Sequence, residues 1–360
     1  MPLASIRQRH KMRLRVGDNE PFKQAESEMK HLILRRAVMV IALAALSTWA
    51  TAQSTPKTPT AATWPSKTVR IIVGFPAGSS PDLTARTLAE PLAKALGQTV
   101  IVENKVGAGG NIAADYVAKA TDDHTIGLMI NGNMTIAKLL NPKLSYDPLT
   151  DLTPISLIGV SPLVLTAPVG APGATAKDFL VAAHAAGDKW SYGTPGVGTV
   201  GHIGMEWLKS KAGINPVHVP YPGYPQVANA MLGGQLQLAM LPPALAMAQI
   251  KAGKLRAIGV TSSGRSTLVP ELPSMSEAGV TGFSLEIWNA IAAPKSLPKP
   301  IATKLSALFS DIARAPEMRQ KLFQQGWQVV GTSAEGLSNR VKLDTALLGG
   351  VITTQAIKAE

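Results

Sequence analysis

The chain has 360 residues, a length typical of two compact domains. It is 46% hydrophobic and 16% charged, which supplies apolar surface for sizeable cores and excludes an intrinsically disordered chain. The lack of cysteine excludes a disulfide scaffold, a zinc–thiolate or iron–sulfur site and thiol catalysis. The net charge of +12, taken alone, suggests nucleic acid or an anionic membrane surface as a partner.

The positive charge is concentrated near the N-terminus. Residues 1–52 contain nine Lys or Arg and four Asp or Glu, which leaves a net charge of only +7 on the rest of the chain. Most of the later Lys and Arg residues lie singly on predicted helix faces and are not interleaved with aromatic residues. The sequence therefore predicts no nucleic-acid partner. A basic protein that binds lipid is another alternative. Strongly salt-dependent binding to anionic membranes would indicate it.

Residues 29–52 have the order of a secretory signal peptide. A basic stretch at 29–36 precedes ten apolar residues at 37–46, and small residues follow up to Ala52. The alternative is a membrane anchor, but even about fourteen apolar residues are fewer than the roughly 20 that cross a bilayer. We therefore expect export to the periplasm with cleavage after Ala52.

The predicted leader covers residues 1–52. Because Met29 heads a complete signal peptide by itself, we expect translation to begin there, and a genuine N-terminal extension is the alternative. Residues 53–63 contain only Thr, Ala, Pro, Ser, Lys and Gln, a composition typical of a flexible tether. Folded structure is expected to begin near Trp64.

Strand-like and helix-like segments alternate along the rest of the chain. The first series is strand 68–75, helix 82–96, strand 98–103, helix 111–120 and strand 125–130. After an irregular stretch at 140–153, residues 155–167 are predicted as extended. The second series is helix 177–186, strand 190–193, helix 199–212, strand 217–220, helix 225–232, strand 235–241, helix 244–251 and strand 255–261. Residues 285–293 again resemble a strand, and helices are predicted at 300–315, 316–325 and 334–355.

This alternation predicts an α/β fold with parallel strands covered by helices. After residue 284 the chain is expected to return to the first lobe, which suggests two lobes joined by crossover strands. Lobe 1 is predicted from residues 64–165 plus 285–360, and lobe 2 from residues 166–284. Such an arrangement leaves a cleft where strand ends and helix N-termini face each other.

A loop of small residues ends the first strand and opens the first helix. Its backbone N–H groups and hydroxyls suit an anion, and the expected ligand-binding residues are Pro76, Ala77, Gly78, Ser79 and Ser80. Asp82 stands where a helix N-cap belongs, and capping is the favoured interpretation over direct ligand contact.

A second loop, at residues 192–202, contains G-x-G-x-x-G between a strand and a helix. A dinucleotide site also needs an acidic residue after the next strand, and residues 217–221 offer none. The loop is instead predicted to bind a carboxylate at the helix start. The expected ligand-binding residues of this loop and its surroundings are Thr194, Gly196, Gly198, Thr199, His202 and Tyr221.

A third glycine-rich loop, at residues 104–111, fits a tight strand-to-helix connection as well as ligand contact. Asn131 ends the third strand of the same lobe and is expected to line the cleft. The four histidines after the leader lack metal-ligand spacing, so neither a metal nor a cofactor is predicted.

The alternative to a binding protein is an exported serine hydrolase that uses Ser79 or Ser80 with His202 and Asp82. The sequence has no G-x-S-x-G nucleophile elbow and no pair of carboxylates in the cleft loops. We therefore predict that the protein is not an enzyme.

At these loops the chain resembles the periplasmic solute-binding receptors of tripartite tricarboxylate transporters, often called Bug or TctC-type proteins. The resemblance runs from about Trp64 to at least Gly331, and several segments in the right order carry it. They include WPSKTVRIIVGFPAGSSPD, VIVENKVGAGGNIAADYVAKA, YGTPGVGTVGHIGMEWLK, HVPYPGYPQVANAMLGGQL and IKAGKLRAIGVTSSGRS.

The resemblance implies a two-lobed, periplasmic-binding-protein-like fold of type II, the Venus flytrap. In that family the loops that match residues 76–80 and 194–202 hold a solute carboxylate through backbone groups and ordered water. The implied partners are a small organic anion and a membrane permease of the same transporter type or a signalling protein, with the receptor itself a monomer.

The chain departs from the family pattern at three places. It has Gly78-Ser79 where Gly-Gly is usual, Tyr221-Pro222-Gly223 where Tyr-Lys-Gly is usual, and Leu241-Pro242-Pro243 where an acidic residue is common. The carboxylate-binding loops are retained, whereas the distal part of the pocket is expected to differ.

Overall fold

A computed structural model describes Met29 and residues 64–358 of the chain. The chain divides into two units, Met1–Thr58 and Pro59–Glu360, and every element below belongs to the second. The predicted leader apart from Met29, its cleavage site and the predicted tether at 53–63 lie outside the described residues.

The elements of the described chain follow one another with short connections. The first series is β1 (Val69–Val73), α1 (Ser80–Leu96), β2 (Val100–Asn104), α2 (Asn111–Ala118), β3 (Thr125–Ile130), α3 (Ala137–Leu140) and β4 (Leu152–Pro162). The second is β5 (Val164–Pro168), α4 (Ala176–Ala186), β6 (Ser191–Thr194), α5 (Val200–Ala212), β7 (Val217–Pro220), α6 (Tyr224–Leu232), β8 (Leu238–Leu241), α7 (Pro243–Lys251) and β9 (Leu255–Val260). The chain ends with β10 (Glu286–Pro294), α8 (Lys299–Arg314), α9 (Pro316–Gln324), β11 (Gln328–Val329) and α10 (Ala334–Thr354).

The strands form two mixed sheets. The first has six strands in the order β11-β4-β10-β3-β1-β2, and the second has five in the order β7-β6-β8-β5-β9. Strand β1 runs parallel to β2 and β3, whereas β10 runs antiparallel to β3 and β4. In the second sheet β6 is parallel to β7 and β8, and β5 is antiparallel to β8 and β9. The predicted α/β class is confirmed; the lobe boundaries stay a prediction.

Apolar residues on both faces of β1 explain why it lies in the middle of a layered core. Ile71 and Val73 pack with side chains of α1, α8 and α9, while Ile72 packs on the opposite face with α2 and α10. Successive side chains of a strand point to opposite faces, so helices must cover both. Each of these buried side chains contributes roughly 1.5–3 kcal/mol relative to its exposed state.

The structure adds three details that the sequence did not predict. Residues 155–167 form two strands in different sheets with Leu163 between them, because an apolar run gives no sign of where a strand changes sheets. Residues Gly132–Ile136 form a turn of π-helix that leads into α3, where only a strand end and an irregular stretch were expected. The two-residue strand β11 was not predicted, since so short a segment carries no periodicity.

The chain crosses between the two sheets twice, at Leu163 and through residues 261–285. The Thr261 hydroxyl donates to Leu285 O at 2.7 Å and accepts from Leu163 N at 2.8 Å. Backbone hydrogen bonds of 2.8 Å also join Thr261 N to Leu163 O and Leu285 N to Thr261 O. Thr261 therefore ties the two crossings together.

Helix α10 packs against the cores of both sheets. Its first half places Leu337 and Val341 among the side chains of the first sheet. Its second half places Leu348, Val351 and Ile352 in the core of the second sheet. Within the described residues, neither this helix nor any other combines the length and apolar character of a membrane span.

Candidate functional site

The loop between β1 and α1 carries the first group of predicted ligand-binding residues. Gly78 adopts a φ of 79°, the left-handed conformation that glycine tolerates best. The N-cap of α1 is Ser79, so the expectation that Asp82 caps this helix is wrong; the Ser79 side chain makes no capping hydrogen bond. The other residues of this group are half-buried or exposed: Pro76, Ala77 and Ser80.

Asp82 holds this loop in place from inside the protein. Its carboxylate accepts hydrogen bonds from Gly78 N at 2.9 Å, Asn104 Nδ2 at 2.8 Å and Arg86 Nε at 3.0 Å. Burial by itself raises the pKa of Asp82, but hydrogen bonds from Arg86, Asn104 and Gly78 outweigh burial and lower the pKa below its ordinary value. Asp82 is therefore ionised, and protein donors occupy its carboxylate.

The loop between β6 and α5 carries the second group. Gly196 and Gly198 have φ angles of 125° and 76°, which lets the backbone turn sharply into the helix. Thr199 is the N-cap of α5: its hydroxyl donates to Gly196 O at 2.7 Å and accepts from His202 N at 3.4 Å. The first N–H groups of α5 have no partner within the helix, which makes this end suitable for an anion.

A stack of three rings supports the second loop from behind. The His202 and His218 rings lie 4.5 Å apart, and the His218 and Tyr192 rings lie 4.9 Å apart. Thr194 Oγ1 lies 2.7 Å from His218 Nε2, and Gly198 N donates to His202 Nδ1 at 3.4 Å. Thr194 and His202 therefore position the loop, and His202 borders a separate surface crevice.

Loops from the two sheets meet at glycine residues. A Cβ on Gly109 would lie 2.7 Å from Val197 O, and a Cβ on Gly132 would lie 2.8 Å from Gly198 O. Both distances are shorter than real Cβ contacts allow, so larger residues would push the loops apart. The glycines thus permit backbone-to-backbone closure of the two lobes.

A small enclosed cavity of about 30 Å³ lies where the two helix-opening loops meet. Ser79, Ser80, Asn131 and Thr199 line it together with apolar side chains and two tryptophans. Three buried polar atoms of its wall residues have no hydrogen-bond partner among the described residues: Ser79 Oγ, Asn131 Oδ1 and Trp327 Nε1. Because buried polar groups are nearly always paired, these atoms indicate a site for a hydrogen-bonding solute.

A wider crevice of about 620 Å³ lies beside the glycine contacts. Its walls include residues 106–111 of the third glycine-rich loop, residues 195–198 of the second loop, and Tyr221. This crevice is open to solvent and gives a path by which a solute reaches the loops.

The structure divides the predicted site residues into three groups. Four line the small cavity: Ser79, Ser80, Asn131 and Thr199. Three line the wider crevice: Gly196, Gly198 and Tyr221. The remaining six line neither and belong to the loops or their supports: Pro76, Ala77, Gly78, Asp82, Thr194 and His202.

Several residues that line the small cavity were not predicted from the sequence, among them two tryptophans. Trp288 lies in β10 and Trp327 lies just before β11, far along the chain from either loop. No local pattern links them to the site, since tertiary packing alone brings them there.

The serine hydrolase alternative finds no support in the geometry. Ser79 Oγ has no hydrogen-bond partner among the described residues, so no imidazole activates it. His202 Nδ1 instead accepts the Gly198 N–H. Within residues 64–358, no three His, Asp or Glu side chains are grouped in a way that could hold a metal ion.

Comparison with known proteins agrees with this geometry. The model of the "Tripartite tricarboxylate transporter family receptor" family matches residues 84–356. A UPF0065 protein of Bordetella pertussis is 33% identical over 299 residues, which cover 83% of this chain and 90% of that protein.

Two solved structures share the fold over most of the chain. Rpa4515 of R. palustris, solved with adipate, has 29% identity and a TM-score of 0.79, with 82% of this chain and 99% of that chain covered. The periplasmic binding protein BugD has 33% identity and a TM-score of 0.77, with 82% of this chain and 100% of that chain covered. The two-lobed, periplasmic-binding-protein-like fold is therefore confirmed.

Proposed function

Because this chain belongs to the tripartite tricarboxylate transporter receptor family, we propose that it captures a small carboxylate-bearing organic solute between its lobes. The observation that carries this proposal is the enclosed cavity between the two helix-opening loops, with its unpartnered Ser79 Oγ and Asn131 Oδ1. The adipate of the Rpa4515 structure supports a carboxylate as the solute.

The physical basis of binding is the pair of helix N-termini. Helix α1 has 17 residues and α5 has 13, and the loop before each borders the same cavity. Each N-terminus carries a partial positive charge and N–H groups without intrahelical partners. A carboxylate held by both ends links one lobe to the other, so binding favours the closed arrangement.

The protein then acts as an extracytoplasmic receptor that passes the solute to a tripartite-type permease or a signalling partner. It performs no reaction on the solute, works as a monomer, and reaches the periplasm through a signal peptide cleaved after Ala52. The family resemblance and the order of residues 29–52 support these points.

The test is a thermal-shift screen of the purified protein with monocarboxylates, dicarboxylates, amino acids and aromatic acids. A solute that binds only the folded state at 100 times its Kd stabilises it by about 2.7 kcal/mol, which corresponds to a rise in melting temperature of about 5 °C. We expect such a shift with at least one carboxylate and recovery of that solute unchanged after denaturation. A screen without any shift contradicts the receptor function, and a chemically altered solute supports the hydrolase.

A further inference from the structure

The wall of the small cavity has no cationic side chain. None of the residues that line it is Lys, Arg or His. Arg86 of α1 lies 2.9 Å from Asp82, and Arg340 of α10 lies 3.1 Å from Glu286 and 2.8 Å from an oxygen of Asp344, so both arginines are paired. A second carboxylate on the solute would therefore be buried without a counter-charge, which is strongly unfavourable.

Several side-chain donors of the wall are already engaged. Trp288 donates to Asp344, Asn289 to Thr84, and Thr199 to the carbonyl of Gly196. The hydroxyls of Ser80 and Tyr224 also line the wall. Two donors are buried without a partner among the described residues, the hydroxyl of Ser79 and the indole N–H of Trp327, and each belongs to a residue that is 2% exposed. With the first N–H groups of α1 and α5, they satisfy one carboxylate.

Asn131 adds an acceptor that a carboxylate cannot satisfy. Its Nδ2 donates to Glu286 O at 3.0 Å, which fixes the orientation of the amide. Its Oδ1 therefore faces away from that bond, has no partner within residues 64–358, and belongs to a residue that is 1% exposed. An acceptor buried in this way requires a donor on the solute.

A hydroxyl group is the donor that fits best. It supplies one hydrogen bond without a charge, whereas an ammonium group has three donors and a positive charge that a single neutral acceptor leaves unsatisfied. The cavity is small, with a volume of about 30 Å³. The hydroxyl must therefore lie close to the carboxylate.

We propose that this cavity selects a short 2-hydroxy monocarboxylic acid, with Asn131 accepting from the hydroxyl and Trp327 donating to the carboxylate. This inference rests on the proposed function and narrows it from carboxylates in general to one class of them. Asn131 and Trp327 are its specificity-determining residues.

A matched four-carbon panel tests the solute class by isothermal titration calorimetry on the purified protein. The panel is butanoate, 2-hydroxybutanoate, 2-aminobutanoate, succinate and malate, so that each added group is compared on one skeleton. We expect 2-hydroxybutanoate to bind at least tenfold more tightly than each of the others. Tighter binding of succinate or malate overturns this inference, while the function as a carboxylate receptor stands.

The role of Asn131 is tested by the ratio of the 2-hydroxybutanoate and butanoate affinities. In Asn131→Ala the acceptor is absent, so we expect this ratio to fall from at least ten to within about twofold of one. The ratio is insensitive to a general loss of folded protein, because both acids bind the same state. An unchanged ratio shows that Asn131 does not bind the hydroxyl group of the solute, and it overturns the assignment of Asn131 as the hydrogen-bond acceptor.

Two tryptophan variants separate a ligand donor from a structural one. Trp64 is as buried as Trp327, but its indole N–H donates to Asp123 O at 2.9 Å and it does not line the cavity. We expect Trp327→Phe to weaken 2-hydroxybutanoate binding about tenfold without lowering the melting temperature. We expect Trp64→Phe to lower the melting temperature and keep the affinity. Full affinity in Trp327→Phe overturns the assignment of this donor.

Longer acids separate the failure of this inference from that of the proposed function. If none of the four-carbon acids binds while adipate or benzoate does, the chain is a carboxylate receptor, and the proposed class of 2-hydroxy monocarboxylic acids is wrong. If no carboxylate binds, both the inference and the proposed function are wrong.

Discussion

At the scale of a single residue, Asp82 holds the predicted binding loop between β1 and α1 in place. It does so through its charged carboxylate and does not line the small cavity. Its carboxylate joins Gly78 in the loop, Asn104 at the end of β2 and Arg86 one turn along α1. Because these donors favour the ionised form, the pKa of Asp82 is lower in the folded protein than in the unfolded chain. The carboxylate therefore stabilises the folded state wherever it is ionised.

Replacing Asp82 with Asn tests this contribution. A carboxylate whose folded pKa is lowered gives its full stability above the unfolded pKa of about 4, and this stability is lost as the pH falls through the folded pKa. We expect Asp82→Asn to lower the free energy of unfolding by about 2 kcal/mol at pH 7 and by much less near pH 3. Urea denaturation at both pH values measures the difference.

Glu90 provides the matched control for this measurement. It lies on the same helix, is exposed, and pairs with Lys94, while the charge of Lys321 also acts on it. We expect Glu90→Gln to leave the unfolding curve nearly unchanged at both pH values. An Asp82→Asn variant as stable as Glu90→Gln at pH 7 would show that the buried carboxylate contributes little.

At the scale of elements, closure depends on glycines at the starts of helices and turns. Gly132 begins the π-helical turn after β3, and it approaches the carbonyl of Gly198 before α5. Its φ is not in the left-handed region, so only the space for a Cβ is lacking there. A methyl group at this position therefore affects the meeting of the loops and not the backbone conformation.

We expect Gly132→Ala to keep the lobes apart. Its Cβ would lie 2.8 Å from Gly198 O, so the two loops must separate before it fits. Solute affinity should fall at least tenfold, and the radius of gyration from small-angle X-ray scattering should no longer shrink when solute is added. Alanine raises helix propensity here, so the melting temperature of the solute-free protein should not fall.

The control for this variant is Gly170→Ala. Gly170 also lacks a left-handed φ, and a Cβ there would meet no atom within 4 Å. We expect it to keep both the affinity and the solute-induced compaction. Normal compaction in Gly132→Ala would show that the glycine contact does not limit closure.

The sequence predicts the elements better than it predicts what surrounds the solute. Apolar runs and glycine-rich breaks locate β1, α1 and both helix-opening loops, because local chemistry determines them. The sequence does not show that the chain passes from one sheet to the other at Leu163, since this residue is as apolar as its neighbours on both sides. Trp327 reaches the cavity from the turn after α9, and only tertiary packing reveals this.

At the scale of the whole molecule, the two lobes are joined by two crossings of the chain and by one helix. Thr261 ties the crossings at Leu163 and Leu285, and α10 packs against the cores of both sheets. Movement of one lobe relative to the other must therefore bend the chain at Thr261 and shift the end of α10. We therefore propose that these contacts affect the free-energy difference between the open and closed arrangements.

We expect Thr261→Val to weaken this connection without changing side-chain volume. The variant loses the hydroxyl that donates to Leu285 O and accepts from Leu163 N, so two buried backbone groups lose a partner. The free energy of unfolding should fall by about 2 kcal/mol, and solute affinity should fall about fivefold as the closed arrangement loses a contact. Denaturation and calorimetry measure the two quantities.

Thr166→Val separates the effect on the hinge from a general loss of stability. Thr166 is equally buried, and its hydroxyl donates to Ala239 O at 2.9 Å between β5 and β8, inside one sheet. We expect it to lose a similar amount of stability and keep its solute affinity, because no crossing is involved. If both variants lose stability and both keep affinity, Thr261 stabilises the fold and does not govern closure. A fall in affinity confined to Thr261→Val places the hinge at the point where the two crossings meet.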